Sequence, residues 1–152
     1  MNGLGIIAVK NGNYVEAKSF FAKAVEVDPQ FAPAYLNLGR MLLLAKDYAG
    51  GEALLQRAAS LDPTSTETLS LLAYIQLLAE KFDSAIATAQ RVHLMQHNQF
   101  AMVHFVAANA YERKQRQQEA AFEYQQYILE DPHGASVERA RSKLTVLEAA
   151  AR

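Results

Sequence analysis

Residues 32–65 read APAYLNLGRMLLLAKDYAGGEALLQRAASLDPTS, and this stretch decides the fold. Tyr35, Leu38, Gly39 and Leu42 recur at helical spacing. The polar pair Lys46-Asp47 then interrupts the pattern, and Tyr48, Gly51, Leu55 and Ala58 resume it until Asp62-Pro63. Two helices joined by a tight turn account for this, since apolar residues three and four apart share one helix face. Pro63 ends the unit, because the residue before a proline is pushed out of the α region and a proline can open the next helix.

The unit repeats. Asp28-Pro29 stands 34 residues before Asp62-Pro63, and Asp131-Pro132 stands 69 after it, which is 34 plus 35. On that register Gly5, Gly39, Ala73 and Ala108 form one column and Ala17, Gly51, Ala85 and Ala120 a second. Tyr14, Tyr48 and Phe82 make an aromatic column that Gln117 breaks; it follows the polar turn and is expected to plug the mouth of each pair. Phe21, Leu55, Ala89 and Tyr124, then Ala24, Ala58, Val92 and Tyr127, complete the set, with one extra residue accommodated near His97 to Phe100. Small residues at two columns twelve apart let two antiparallel helices approach closely where they cross. Helices are predicted over about 2–10, 14–27, 31–45, 48–60, 65–79, 82–96, 100–114, 117–130 and 135–150, with boundaries good to ~2–4 residues.

Composition agrees. The 152 residues amount to one domain and include 27 Ala and 18 Leu against 19 Val, Ile and Thr together, a balance that favours helices over strands. The chain has no cysteine, which excludes disulfides, thiolate nucleophiles and zinc ribbons. A net charge of −1 speaks against a nucleic-acid partner held by long-range electrostatics. No signal peptide and no run of ~18 apolar residues is present, so the chain reads as soluble, with the cytoplasm as default and no membrane insertion.

With small, aromatic, small and Pro columns at 34-residue spacing, the sequence resembles the tetratricopeptide repeat family. The resemblance covers residues 1–134 as four repeats, 1–31, 32–65, 66–100 and 101–134. It implies an all-α, right-handed solenoid of antiparallel helix pairs. The fourth repeat departs most, with Gln117 in the aromatic column and Tyr127 where a small residue is usual; the third lacks its terminal proline. Residues 135–152 leave the pattern. Ser136 is a plausible N-cap, and Val137, Ala140, Leu144 and Leu147 form an apolar stripe, with Glu138, Arg139, Arg141, Lys143 and Glu148 expected to face away. This reads as a capping helix in preference to the first helix of a fifth repeat. Nothing comparable covers the first repeat, where upstream residues or a second chain are expected to shield it.

No catalytic motif is found: no phosphate loop, nucleophile elbow or HExxH. His93 and His97 lie four apart, with His104 seven further on, but no third ligand is apparent. The reading is therefore imidazoles near a helix C-terminus, with no metal and no cofactor. Arg113, Lys114 and Arg116 read as a solvated turn.

What the resemblance implies about function concerns the first helix of each repeat, which lines a concave groove that receives extended peptides or helices. Carried onto this sequence, the groove positions are Asn2, Ile6 and Val9, then Leu36, Asn37, Arg40, Leu43 and Leu44. The third repeat supplies Glu67, Ser70, Leu71, Tyr74, Leu77 and Leu78; the fourth supplies Met102, Phe105, Val106, Asn109, Glu112 and Arg113. Leu43, Leu71 and Leu77 could equally belong to the core. Repeats of the family that clamp acidic chaperone tails use Lys and Asn in the first repeat, where this chain has Asn2 and Ile6, and Lys and Arg in the third, where it has Glu67 and Leu71, so that mode is not expected; only Asn37, in the second, fits. The groove is apolar, which points to a scaffold that binds an apolar or amphipathic segment of a protein partner. The alternatives are a self-assembling homo-oligomer and the regulatory or targeting part of a larger enzyme or complex. The 152 residues themselves are read as non-enzymatic.

Overall fold

The computed structural model describes residues 1–95 and 100–150. Along the chain run α1 (Asn2–Lys10), α2 (Tyr14–Val27), α3 (Ala32–Leu44), α4 (Tyr48–Leu61), α5 (Thr66–Leu78), α6 (Phe82–His93), α7 (Met102–Arg113), α8 (Gln117–Glu130) and α9 (Val137–Ala150). No strand occurs among the described residues. Each helix packs on its neighbours in the chain, and α5 also touches α3 and α7. The molecule is an all-α helical repeat solenoid. In a curved stack the layer whose members touch directly has the smaller radius, so the odd-numbered helices form the inner wall.

The period of the sequence is visible in the backbone. Gly12, Lys46, Glu80 and Gln115 all take the left-handed conformation, with φ of 75°, 60°, 59° and 59°. At each, the following N–H reaches back five residues: Asn13 to the Ala8 carbonyl at 2.8 Å, and Asp47 to Leu42, Lys81 to Gln76 and Arg116 to Tyr111 at 2.9 Å. These are Schellman caps, which satisfy the last carbonyls of the first helix and aim the chain into the second. Between pairs, Asp28 and Asp62 leave the helical region and accept an N–H two residues on, from Gln30 at 3.0 Å and Thr64 at 3.2 Å. That local bond, with the proline that follows each aspartate, makes Asp-Pro a stop signal.

The small columns are buried as their chemistry demands. Ala17, Ala73, Ala85, Ala108 and Ala120 are fully buried, as are Leu55, Ala89, Tyr124 and Tyr127. The aromatic column is a partial correction: Tyr48 and Phe82 are half-buried, but Tyr14 is 55% exposed and plugs nothing. Over Phe82 lies the Arg113 guanidinium, 4.8 Å from the ring centroid. The matching place near Tyr14 is taken by Leu44 and Ala45, which are too short to cover the ring and leave a pocket of about 550 Å³.

Inside the α4–α5–α6 layer lies a polar network. Buried Glu52 accepts from Lys81 at 2.6 Å, Gln56 at 3.2 Å and Gln76 at 3.4 Å, and the Gln76 carbonyl accepts from the Thr88 hydroxyl at 2.8 Å. A buried acceptor stripped of its donor keeps its full desolvation cost. Thr88→Val, close in shape, is therefore expected to cost about 1–3 kcal/mol in a urea titration, whereas exposed positions such as Ala87 should tolerate change.

At the α7–α8 junction, burial raises the Tyr124 phenol well above its ordinary range, and its O–H donates to Glu112 at 2.9 Å. Burial alone would lower the pKa of His104; the Glu123 hydrogen bond and charge, with Glu130 behind them, outweigh it and leave the imidazole above its ordinary value.

Candidate functional site: the inner wall

The groove was expected on the odd-numbered helices, and side chains stitch that layer together along its length. Asn37 donates to Asn2 at 3.0 Å, Arg40 pairs with Glu67 at 2.5 Å, and Lys143 pairs with Glu112 at 2.5 Å. These bonds join α1 to α3, α3 to α5 and α7 to α9. Arg113 reaches Glu80 at 3.3 Å, and the Asn109 amide donates back to the Phe105 carbonyl at 2.6 Å. The Arg40 and Arg113 pairs are exposed, so each contributes about 0–1 kcal/mol.

The residues expected to line the groove do not all meet in one place. Asn37 and Arg40 meet Ile6, Val9, Phe21 and Met41 around a small pocket of about 90 Å³ between α1 and α3. Leu78, Asn109 and Arg113 come together with Leu77, Glu80, Glu112, Arg139 and Lys143 around a larger one of about 400 Å³. Tyr74 and Met102 stand on the wall at 39% and 42% exposure. The remainder divide otherwise. Leu36 and Phe105 are buried, with 8% of their surface accessible, and Leu71 packs half-buried against the core. Leu44 is 62% exposed but lines the pocket beside Tyr14, Val15 and Lys18 at the start of α2.

Two residues of this layer were not legible as such. Arg139 and Lys143 were expected to face away from the stack. Instead the Arg139 guanidinium lies 5.8 Å from the Phe105 centroid, and Lys143 pairs with Glu112. Helix α9 thus extends the inner wall by a fifth element. Val137, Ala140 and Leu147 are buried, as their stripe implied, while the long aliphatic stems of Arg139 and Lys143 allow charges near that stripe to turn inward. The pocket that results has a leucine floor and a rim of three cations and two carboxylates.

A stack of short helix pairs with a continuous side-chain wall defines a helical repeat scaffold. The chain belongs to the tetratricopeptide repeat family, whose model matches residues 8–73 and again 42–104. A probable biofilm formation methyltransferase of Pseudomonas aeruginosa, WspC, is 39% identical over 56 residues, a match that spans 37% of this chain and 13% of that protein. Among solved structures, MamA superposes with a TM-score of 0.86 at 19% identity over 96% of this chain and 83% of its own. YrrB, described as a TPR protein with an unusual peptide-binding site, gives 0.82 at 18% identity, over 97% and 74%. MamA from Desulfovibrio magneticus RS-1 gives 0.79 at 12% identity, over 97% and 90%. At these identities the likeness shows the fold. The family is one of protein–protein interaction scaffolds, generally without enzymatic activity. Among the described residues, no helix is long and apolar enough to cross a membrane.

Proposed function

We propose that the inner wall holds an apolar or amphipathic segment of a partner protein, and that the chain divides into the four repeats 1–31, 32–65, 66–100 and 101–134 with α9 closing the wall. The observation that carries this reading is the pocket floored by Leu77 and Leu78 and rimmed by Asn109, Arg113, Arg139 and Lys143. Apolar side chains of the partner would fill the floor, and its backbone carbonyls or an acidic residue would meet the rim. Tyr74 and Met102 would flank the bound segment. The solved YrrB scaffold, described as having a peptide-binding site, is consistent with this use of the fold.

Leu36 and Phe105 are unsuitable test positions because an aspartate there would unfold the wall. Tyr74→Ala with Met102→Ala removes two exposed anchors and leaves the core intact. The double variant is expected to bind the native partner at least ~10-fold more weakly while its thermal melt stays within a few degrees of wild type. Unchanged affinity would move the binding surface elsewhere. The self-assembly alternative draws on one feature, the half-exposed Leu4 and Ile7 on one face of α1. A strict monomer in light scattering at high concentration removes it.

A further inference from the structure

His93 near the end of α6, His104 on α7 and Glu123 on α8 converge, with one ligand atom from each lying within 4.8 Å of the others. His104 and Glu123 are buried, and His93 is half-buried. The two imidazoles stack with centroids 4.3 Å apart at 16°. Glu123 spans them, with one carboxylate oxygen 2.7 Å from His104 Nδ1 and the other 3.7 Å from His93 Nδ1. In a tetrahedral site with metal–ligand bonds of 2.0–2.2 Å, neighbouring ligand atoms stand about 3.4 Å apart. The two observed separations, one to each carboxylate oxygen, straddle that value; gathering one atom from each residue onto an ion takes shifts of up to about 1.4 Å, with one imidazole rotated out of the stack so that both in-plane lone pairs converge. Behind the cluster, His104 Nε2 lies 3.2 Å from Glu130 Oε1. A metal-bound histidine commonly gives its other ring N–H to a carboxylate, which fixes the tautomer and strengthens the ligand.

The geometry points to a divalent transition-metal site formed by His93, His104 and Glu123 with Glu130 as the supporting carboxylate. Two imidazole nitrogens and one carboxylate suit Zn²⁺ and its transition-metal neighbours; Ca²⁺ and Mg²⁺ call for oxygen donors. Charge is compatible with the assignment: a divalent ion would supply the counter-charge that buried Glu123 otherwise takes from His104, while Glu130 is exposed and needs none. Three ligands from three helices would pin α6 against the α7–α8 pair, leaving a fourth position for water. His97 lies outside the described residues.

The test uses the full chain, stripped of metal by chelation and titrated with Co²⁺ and Zn²⁺, with Mg²⁺ and Ca²⁺ alongside. Co²⁺ is expected to give the visible d–d bands of a low-symmetry, four- or five-coordinate site at one ion per chain. Zn²⁺ should erase those bands and raise the melting temperature by several degrees, as any ligand of the native state does. His93→Ala, at a half-buried position that the fold tolerates, should weaken Co²⁺ binding at least ~10-fold and abolish the Zn²⁺ shift. Glu123→Gln should do the same, and His133→Ala, at an exposed histidine outside the cluster, should do neither. If wild type shows no Co²⁺ bands, or if His93→Ala binds as wild type does, the assignment falls and the cluster is a proton-held ion pair.

Discussion

Tyr127→Ala is expected to lower the stability of the whole chain by about 3–5 kcal/mol, the range for emptying a buried aromatic site. The ring is fully buried, and its centroid lies 5.3 Å from that of Phe105 at 55°. Its hydroxyl accepts the Ser136 N–H at 3.2 Å, one residue before α9 begins. Tyr127 thus fills the seam where α7, α8 and α9 meet, and it also positions the last helix. Gly134 makes room for it: a β-carbon there would stand 2.5 Å from the hydroxyl. Two effects should separate by substitution. Tyr127→Phe keeps the ring and loses one hydrogen bond, about 1 kcal/mol. Tyr127→Ala should in addition release α9, seen as faster amide exchange over residues 137–150 than in wild type. An alanine variant within about 1 kcal/mol of wild type would show that the seam collapses onto the gap.

Tyr127 also shows how the sequence can be read and where reading stops. It breaks its column, in which Ala24, Ala58 and Val92 are the other members, and its larger side chain reaches the Phe105 ring and the Ser136 N–H. The departure was visible; its cause lay in a contact with Ser136 that no spacing reveals. The columns themselves were legible because each has one physical meaning: small residues mark a helix crossing and Asp-Pro marks a stop. The wall was legible only in part. Helix α5 carries Leu69, Leu71, Leu72, Ile75, Leu77 and Leu78 around most of its circumference, so no stripe separates core from groove. Leu36 and Phe105 fell on the core side for the same reason. Buried polar groups were hidden most completely. Glu52 stands on an otherwise ordinary helix face, and its partners Lys81 and Gln76 lie 29 and 24 residues away. The histidine cluster follows suit: spacing pairs His93 with His97, whereas folding pairs it with His104 and supplies Glu123 from a third helix.

At the α3–α4 crossing a single substitution should divide the stack. A β-carbon on Gly51 would stand 2.5 Å from the Ile75 Cδ1 atom and 3.2 Å from the Gly39 carbonyl oxygen; one on Gly39 would stand 3.3 Å from the Gly51 carbonyl. The first obstacle is the tip of a flexible side chain, but the second is backbone. Gly51→Ala gains up to ~1 kcal/mol of helix propensity and loses a similar amount in crowding, so its net effect should be small. Gly51→Leu has no such room. It is expected to cost about 3 kcal/mol, the upper end for overpacking, because α4 must separate from α3 and from α5 together. Stability in a solenoid is a sum of units and their nearest-neighbour interfaces. Loosening this crossing should therefore separate α1–α3 from α5–α9 and broaden the urea transition as well as shift it. Gly3 supplies the control. It lies in α1 with nothing within 4 Å of a β-carbon, so Gly3→Ala should raise stability by up to ~1 kcal/mol. Equal gains from Gly51→Ala and Gly3→Ala would reduce the small columns to a matter of helix propensity; a gain at Gly3 with none at Gly51 places the 34-residue repeat in the packing of backbone against backbone.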